Sequence, residues 1–342
     1  MDVWAARAHA NGLGDDLAPT VADAVARVVA LQGQDVRATR LAVRARTRGL
    51  TADDVDAAVA RGEVVRTWAM RGTLHLLAAD DLRWVNRVFG SYFRDRQRPR
   101  RLQLGLTDDA CARGTEQLLG FLREPMTRAE IVERVDLDLA GQAAPYFLAF
   151  AAFEGVICRG PERGSEPTYV LIDDWVGQDR DSLLAERYLR GYGPATPADL
   201  ATWSGLPLTT ARKAFDEVRD LVEPVDGGFR LRDRDHREAD RVRLLGHFDA
   251  FLLGYRERAV SPENAKAVQT GGGFVMPVVS GSGRIHGVWS LKSTQDHLGI
   301  DVTPFTTISA RLRRDLSADG LDLGRFLGRR STLSVSESQN TD

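Results

Sequence analysis

The segment 196–232, TPADLATWSGLPLTTARKAFDEVRDLVEPVDGGFRLR, carries the signals of one complete folding unit. Its pattern predicts a helix over 197–203, a turn over 204–207 and a second helix over 210–218. Residues 221–232 then alternate around a glycine-containing turn, which is typical of a β-hairpin. Two helices joined by a turn and followed by a two-stranded ribbon predict a winged helix-turn-helix.

The same kind of helix start occurs three times along the chain. Each has a threonine, an acidic residue three positions later and then an aliphatic residue, at Thr51-Ala-Asp-Asp-Val55, Thr127-Arg-Ala-Glu-Ile131 and Thr196-Pro-Ala-Asp-Leu200. The threonine oxygen can accept a backbone N–H bond, and the acid favours the helix N-terminus. Because a hairpin pattern follows each start, we expect three tandem winged helices.

Residues from Leu244 onward have a different character, because glycines become dense and short β-branched runs lie between them. This pattern is typical of a small antiparallel sheet or barrel. The expected fold is therefore α+β, with three tandem winged helix-turn-helix units followed by a small C-terminal antiparallel β-barrel. We place the units at 1–103, 104–178 and 179–243, the barrel at 244–330 and a disordered polar tail at 331–342.

Composition restricts the class of protein. The 342 residues are 43% hydrophobic and 27% charged, a globular balance. Neither an apolar run of about 18 residues nor a secretory leader pattern is present, so we expect no membrane association. The two cysteines, Cys111 and Cys158, are far apart, which argues against a disulfide framework or a zinc site and favours a cytoplasmic location.

The positive charge is almost entirely arginine, with 43 arginines and three lysines against 48 acidic residues. A high-GC genome is one explanation, yet arginine is also the better partner for phosphate. One helical stripe about 80° wide carries Arg37, Arg40, Arg44 and Arg48. A second cluster comprises Arg94, Arg96, Arg98, Arg100 and Arg101. These clusters predict contact with a nucleic-acid backbone, and the alternative is a solvated face.

The acidic residues Asp53, Asp54 and Asp56 fall on the helix of the first repeat. A helix with three carboxylates would be repelled by phosphate in a major groove. We therefore expect the first unit to bind DNA without the ordinary use of that helix.

Recognisable catalytic motifs are scarce, since the sequence has no Walker loop, HExxH, CxxC or Gly-x-Ser-x-Gly pattern. What remains is Gln32-Gly33-Gln34-Asp35, directly after a predicted helix over 20–31. Alternate residues on a short extended link can point the same way, so Gln32 and Gln34 could present two carboxamides beside Arg37. The alternative is that these glutamines cap a helix end or face water.

Four segments of the chain resemble the AlkZ/YcaQ-like bacterial DNA glycosylases, and the resemblance extends from about Val21 to Gly328. They are the glutamine segment 31–35, the run VVRTWAMRGTLHLL at 64–77, FDAFLLGYRER at 248–258 and GFVMPVV at 273–279. The resemblance implies three winged helices and a C-terminal β-barrel around a DNA cleft. It also implies hydrolytic excision of purines alkylated at N7 or N3, extending in some members to interstrand cross-links as self-resistance.

By the same resemblance the catalytic element is Gln32 and Gln34. Gly33 departs from the hydrophobic residue that usually stands between the two glutamines of this family. Asp35 follows the motif and is either a candidate base or a helix cap. A carboxamide can orient water and stabilise developing positive charge through its dipole, but it cannot take a net proton at neutral pH.

The expected DNA-binding residues are Arg37, Arg40, Arg44, Arg71, His75 and Arg256. Three of them have local alternatives. His75 could hydrogen-bond within its own hairpin, Arg71 could be an exposed turn residue, and Arg256 could form an internal salt bridge, for instance with Asp249.

The resulting hypothesis is a monomeric, monofunctional DNA glycosylase that needs no metal or organic cofactor. Its partner is double-stranded DNA with alkylated purines, at the nucleoid, and no lysine near the motif could form a Schiff base. The competing hypothesis is a non-catalytic winged-helix DNA-binding regulator or damage-binding protein. A protein-interaction scaffold built from winged helices is a third.

Overall fold

The three repeated threonines begin helices in the structure, a computed structural model that describes residues 2–177, 179–234 and 237–336. Thr51, Thr127 and Thr196 each accept a backbone N–H bond from the residue three positions later. In each case the acid at that position accepts a bond from the backbone N–H of the threonine. Two otherwise unpaired backbone donors are thereby satisfied, which explains why the chain enters a helix at these points.

The first unit combines short helices with a three-stranded part of a sheet. Its helices are α1 (Val3–Ala10), α2 (Val21–Arg27), α3 (Val36–Arg46), α4 (Ala52–Ala60) and the long α5 (Leu82–Gln103). Its strands are β1 (Ala30–Gln32), β2 (Val64–Trp68) and β3 (Leu74–Ala78). The alternation between Val64 and Leu77 thus forms the expected hairpin, and β1 adds to its β3 side.

The second unit repeats this arrangement and extends the same sheet. Its helices are α6 (Asp108–Phe121), α7 (Arg128–Arg134), α8 (Ala143–Phe153) and α9 (Ile172–Trp175), and its strands are β4 (Met126–Thr127), β5 (Ile157–Arg159) and β6 (Thr168–Leu171). The six strands follow the order β1-β3-β2-β5-β6-β4, joined where Arg66 of β2 pairs with Arg159 of β5. The hairpins of the two units are therefore one continuous sheet.

The third unit contains two helices and a hairpin in the segment quoted first. After α10 (Leu184–Tyr192) come α11 (Pro197–Ser204), α12 (Leu208–Glu217), β7 (Val222–Val225) and β8 (Gly228–Leu231). Gly205, at φ 75°, ends α11 in the left-handed conformation that glycine adopts without strain. The mixed α+β class is confirmed, and the winged-helix assignment of the units stays a prediction.

The C-terminal part is an open sheet covered by a helix, where a barrel was predicted. Its helices are α13 (Ala250–Leu253), α14 (Ala265–Val268) and α15 (Ala310–Phe326). Its strands are β9 (Val242–Leu245), β10 (Gln269–Gly271), β11 (Phe274–Val275), β12 (Val278–Gly281), β13 (Arg284–Ser293), β14 (His297–Pro304) and β15 (Arg330–Val335). The main sheet has the order β15-β14-β13-β12-β9, so β15 and β9 are its edges. Leu316 and Leu323 of α15 pack against Trp289 and Ile300, which buries one face without closure.

The prediction of a disordered tail from residue 331 is wrong for the first residues of that tail. Residues 330–335 form β15, which pairs in parallel with β14 along its whole length. Leu333 and Val335 alternate along the strand and pack against the core of this sheet. A parallel pair needs a crossover, and α15 supplies it. Residues 337–342 of the predicted tail lie outside the described residues.

The hydrophobic core does not separate at the predicted unit boundaries. One cluster contains buried residues of the first and third units and of the C-terminal part, from Ala8 to Phe326. The second unit packs mainly around its own cluster, centred on Phe147 and Leu148. None of the helices in the described part of the chain combines the length and apolar character that spanning a bilayer requires.

Two buried ion pairs join α3 to the C-terminal part. Arg44 donates to the Asp319 carboxylate at 2.7 Å, and Arg243 donates to its other oxygen at 3.0 Å. Arg46 donates to both oxygens of the buried Asp249, at 2.8 and 2.9 Å. Burial raises the pKa of Asp319, but the charges of Arg44 and Arg243 outweigh it and hold that pKa below its ordinary value.

We expect Asp319→Ala to lower the free energy of unfolding by about 3–5 kcal/mol, because it removes the buried carboxylate that the two buried guanidinium groups of Arg44 and Arg243 share. Asp322→Ala is the matched control, since Asp322 also pairs with Arg44 but its side chain is 38% exposed. Its loss should be within about 1 kcal/mol. Urea unfolding followed by circular dichroism measures both values. Equal losses of unfolding free energy in the two variants would contradict the importance of the buried Asp319 pairs.

Candidate active site

The two glutamines of the predicted motif contact each other at the end of β1. Gln32 is the last residue of that strand and lies opposite His75 of β3. The Nε2 of Gln32 donates to the Oε1 of Gln34 at 2.5 Å. Gln32 is half-buried and Gln34 is exposed, so the pair borders solvent. The structure therefore brings the two carboxamides together, as the sequence predicts.

Gly33 allows β1 to approach β3 unusually closely. Its N–H donates to the carbonyl of Leu74 at 2.8 Å, so the ladder continues past Gln32. A Cβ at this position would lie 2.9 Å from the carbonyl carbon of His75 and 3.1 Å from its Cα. Both are backbone atoms that cannot move without shifting β3. The small residue therefore fixes the link between the two glutamines against the strand.

The motif is also anchored on the side of α3. Asp35 is the N-cap of this helix, and its Oδ1 accepts from the backbone N–H of Arg37 at 2.8 Å and of Ala38 at 3.1 Å. The hydroxyl oxygen of the buried Thr39 lies 2.7 Å from the carbonyl of Gln32 and 2.7 Å from that of Asp35, and its one proton can be donated to either. Of the two alternatives for Asp35, the structure shows the helix cap.

Arg71 points inward rather than toward solvent. It lies in a short 3₁₀ turn between β2 and β3, with a φ of 55°. Its guanidinium donates to the Oε1 of Gln32 at 3.2 Å, to His75 and to the carbonyl of Trp203 in α11. Burial lowers the pKa of Arg71. The side chain of Arg71 is engaged beside Gln32, and its direct contact with DNA stays a prediction.

His75 is buried between Arg71 and its own hairpin. Its Nδ1 lies 2.9 Å from the carbonyl of Thr73, and its Nε2 lies 3.1 Å from the Nη2 of Arg71. Burial and the neighbouring Arg71 charge lower its pKa to about 3, so the imidazole is neutral at physiological pH. Of its two alternatives, the structure shows the local one, since only 2% of its surface is exposed.

The arginine stripe on α3 begins in solvent and ends inside the protein. Arg37 is exposed, and no hydrogen bond or ion pair of its side chain occurs among the described residues. Arg40 is paired with Asp56 of α4, with 2.9 Å between Nε and Oδ1. Arg44 is buried on Asp319, so its predicted role in DNA binding is wrong. Elements distant in sequence, β9 and α15, cover the C-terminal half of this helix.

The carboxylates of α4 have local partners as well. Asp54 forms the capping box with Thr51, and Asp56 pairs with Arg40. The capping box therefore accounts for Asp54 of this helix, and the ion pair with α3 accounts for Asp56.

The second predicted basic cluster is largely neutralised by acids on neighbouring helices. Arg94 pairs with Asp95 and Glu154, and Arg98 pairs with Asp108. Arg101 is buried and also lies on Asp108, at 3.1 Å. Asp108 belongs to α6 and Glu154 follows α8, so the sequence of α5 alone does not reveal these partners.

A different set of cations is exposed and without a side-chain partner in the part of the chain that the structure describes. It includes Arg37, Arg212, Lys213, Arg256 and Lys266. Arg256 was predicted, and its backbone N–H donates to the Oδ1 of Asp199 at 2.9 Å. The sequence reasoning missed Arg212 and Lys213 on α12. The position of α12 as second helix of a helix-turn-helix unit was the signal that could have identified them.

Two other side chains of the segment 248–258, those of Tyr255 and Arg258, form bonds within the protein. Tyr255 is buried and donates to the carbonyl of Tyr192 at 3.0 Å, and Arg258 donates to the carbonyl of Leu252 at 2.9 Å. Asp249, suggested as a partner of Arg256, is bound by Arg46 instead. Within residues 2–177, 179–234 and 237–336, histidine, cysteine and carboxylate side chains nowhere form a group of three that could hold a metal ion.

Comparisons with known proteins point in one direction. The family described as DNA glycosylase AlkZ-like matches residues 25–326. An interstrand DNA cross-link repair glycosylase from Streptomyces sahachiroi is 30% identical over 339 residues, which cover 89% of this chain and 90% of that protein. The solved structure of the Streptomyces sahachiroi DNA glycosylase AlkZ superimposes with a TM-score of 0.83 and 27% identity, covering 98% of each chain.

We expect Gly33→Ala to lower the free energy of unfolding by about 1–3 kcal/mol, because the new methyl group meets the β3 backbone. Gly120→Ala is the control, since a Cβ there has no neighbour within 4 Å and the residue lies in α6. That change should leave stability unchanged or raise it by up to about 1 kcal/mol. Chemical denaturation measures both, and an unaffected Gly33→Ala protein would show that the strands can separate freely.

The buried neutral His75 should make stability depend on pH. Between pH 6.5 and about 3 the unfolded chain binds a proton at this residue and the folded chain does not, so acidification lowers the free energy of unfolding. Replacement by glutamine removes the titration. As the pH falls across this window, the free energy of unfolding of the wild type should decrease by up to about 1.4 kcal/mol per pH unit more than that of His75→Gln. Parallel pH profiles of the two proteins in urea unfolding would contradict the burial of a neutral imidazole.

Proposed function

Because the chain belongs to the family of AlkZ-like DNA glycosylases, we propose that it excises bulky purines alkylated at N7 or N3 from duplex DNA. Adducts that join the two strands are included in this proposal. The similarity to the interstrand DNA cross-link repair glycosylase of Streptomyces sahachiroi supports that extension. The role would be DNA repair, including self-resistance in a producer of a DNA-alkylating compound.

The observation that carries the proposal is the pair of amides formed by Gln32 and Gln34. They are hydrogen-bonded to each other at 2.5 Å, anchored by Thr39 and Gly33, and open to solvent through Gln34. A rigid polar pair on a strand end can hold a small molecule such as water in one orientation.

The proposed substrate suits such weak catalysts. Alkylation at N7 or N3 makes the purine cationic, so the bond from C1′ to the base can break with its electron pair passing to the base. The departing base then needs no added proton. Positive charge develops at C1′, and the carbonyl dipoles of the amides can stabilise it.

The attacking water forms the new C1′–O bond and must then lose a proton. An amide cannot take it at neutral pH, so the water is held by Gln34 and deprotonated late. Asp35 caps α3 through Oδ1 alone, and among the described residues no contact of its Oδ2 occurs. Asp35 directly follows Gln34 in the chain, and we assign the proton to this oxygen.

Binding of the duplex is assigned to the exposed unpaired cations. Arg37 begins α3 directly after the motif, and Arg256 is held beside the first turn of α11. Arg212 and Lys213 project from α12. Guanidinium and ammonium groups without an internal partner are free to replace the counter-ions of phosphates. We interpret the three helix–helix–hairpin units as winged helices that present these groups.

The reaction is proposed to stop at the abasic site. Lysines form the Schiff base that strand cleavage by a bifunctional glycosylase requires. The first lysine of this chain is Lys213, so none lies in the unit that carries the glutamines.

We expect the purified protein to release the base from a duplex with one N7-alkylguanine, measured as abasic sites after alkaline cleavage. Gln32→Ala and Gln34→Ala should each lower the single-turnover rate about 100-fold or more, because each removes a dipole from the reacting centre. Gln142→Ala is the control, since Gln142 also hydrogen-bonds through its amide but lies in the second unit.

Base release by the double variant Gln32→Ala/Gln34→Ala at the wild-type rate would refute the assignment. Salt-sensitive binding of the damaged duplex with no base release by the wild type would instead support the non-catalytic alternative.

A further inference from the structure

We propose that Arg71 and His75 are positioning residues that set the direction of the hydrogen bonds through both glutamines, so that the carbonyl of Gln34 faces the attacking water. This inference rests on the proposed function and specifies the separate roles of the two amides. It follows from the donor and acceptor capacity of each group in the chain of contacts.

The chain of hydrogen bonds begins at His75. Its Nδ1 lies 2.9 Å from the carbonyl of Thr73, and a carbonyl only accepts, so Nδ1 carries the proton. A neutral imidazole then has a lone pair at Nε2, where the Nη2 of Arg71 lies 3.1 Å away. The histidine therefore acts as an acceptor that holds the guanidinium in place.

Arg71 imposes one orientation on Gln32. A guanidinium only donates, so the atom of Gln32 that faces it at 3.2 Å must be the carbonyl oxygen Oε1. The NH₂ group of Gln32 is then directed to Gln34 and donates to its Oε1 at 2.5 Å. An amide that could rotate freely would offer either end to its neighbour, and the arginine removes that freedom.

The consequence is a difference between the two amides. Gln32 is held at both ends and is half-buried, whereas Gln34 is exposed. The Oε1 of Gln34 keeps a second lone pair, which can accept a hydrogen bond from a water molecule. A water that donates to this oxygen directs its own lone pair away from the amide, as attack on C1′ requires.

The position of Arg71 itself is held from outside its hairpin. Its φ of 55° is a left-handed conformation that a residue with a side chain adopts only where its surroundings hold it. The guanidinium also donates to the carbonyl of Trp203. That carbonyl lies in the last turn of α11, where helix carbonyls lack a partner within the helix and favour a cation. Docking of the third unit thus supports the orientation of Gln32.

The experiment compares two isosteric changes in single-turnover excision from the N7-alkylguanine duplex. In Gln32→Glu the carboxylate still accepts from Arg71 but cannot donate to Gln34, which breaks the direction of the chain. In Gln34→Glu the carboxylate still accepts from Gln32 and from water. We expect Gln32→Glu to be slower than Gln34→Glu by about tenfold or more.

The contribution of Arg71 is tested by coupling. Arg71→Lys should lower the excision rate about 10- to 100-fold and leave the half-saturating protein concentration within about twofold. In a Gln32→Ala background the same change should cost less than about twofold, because the bond it orients is absent. His75→Leu should lower the excision rate more than His75→Gln does, because the side-chain carbonyl of the glutamine can still accept from Arg71.

Arg187→Lys is the matched control. Arg187 also joins the third unit to the first, through the carbonyl of Ala26 and Asp81, but it contacts neither glutamine. Its excision rate should equal that of the wild type. Thermal unfolding of every variant separates lost positioning from lost folding.

An active wild type with Arg71→Lys at the same rate would overturn the inference alone. Equal excision rates for Gln32→Glu and Gln34→Glu would also overturn it. The same holds if Arg71→Lys lowers the rate by the same factor with and without Gln32, or if Arg187→Lys lowers the rate as much as Arg71→Lys does. A wild type that releases no base from the duplex would overturn the proposed function, and this inference with it.

Discussion

The short antiparallel pairing of β1 with β3 determines the geometry of the rest of the site. It places Gln32 opposite His75, and Gly33 permits the two backbones to approach closely enough to continue the ladder. Once that register is set, Thr39 ties the carbonyl of Gln32 to the start of α3. Gln34 is left on the outer side of a backbone that is held on both flanks. A one-residue slip would exchange the inward and outward faces of the motif.

The abundance of arginine serves the interior as much as the surface. Arg44, Arg46 and Arg101 are each buried, and each pairs with a carboxylate from another element. Arginine suits this role because its planar group satisfies several acceptors at once, as the five hydrogen bonds of Arg46 show. The exposed cations to which we assign nucleic-acid binding come from α3, α12 and the segment after α13.

Most features that local sequence determines were predicted well, but the helix predicted over 20–31 ends at Arg27, and residues 30–32 form β1. The capping threonines, the hairpins and the contact between Gln32 and Gln34 each depend on residues close in the chain. The errors concern contacts between distant residues. The partner of Arg44 is Asp319, and the inward turn of Arg71 depends on a carbonyl of α11.

The C-terminal part shows the same limit. Its strands follow from β-branched runs and glycines, but whether a sheet closes depends on what covers it. Here α15 buries one face and returns the chain to form β15, so the sheet stays open and the polar segment after residue 330 is ordered as an edge strand. The alternation of Leu333 and Val335 is too short a signal to distinguish such a strand from a solvated tail.

The buried pairs of α3 also bear on biosynthesis. Arg44 and Arg46 leave the ribosome long before their carboxylate partners, which follow 275 and 203 residues later in the chain. Burying either guanidinium alone is unfavourable, so the helix behind the glutamines cannot reach its final position while translation is under way. In a nascent chain the segment that holds Gln32 and Gln34 is therefore unassembled, and it reaches its final geometry only when the C-terminal strands have emerged.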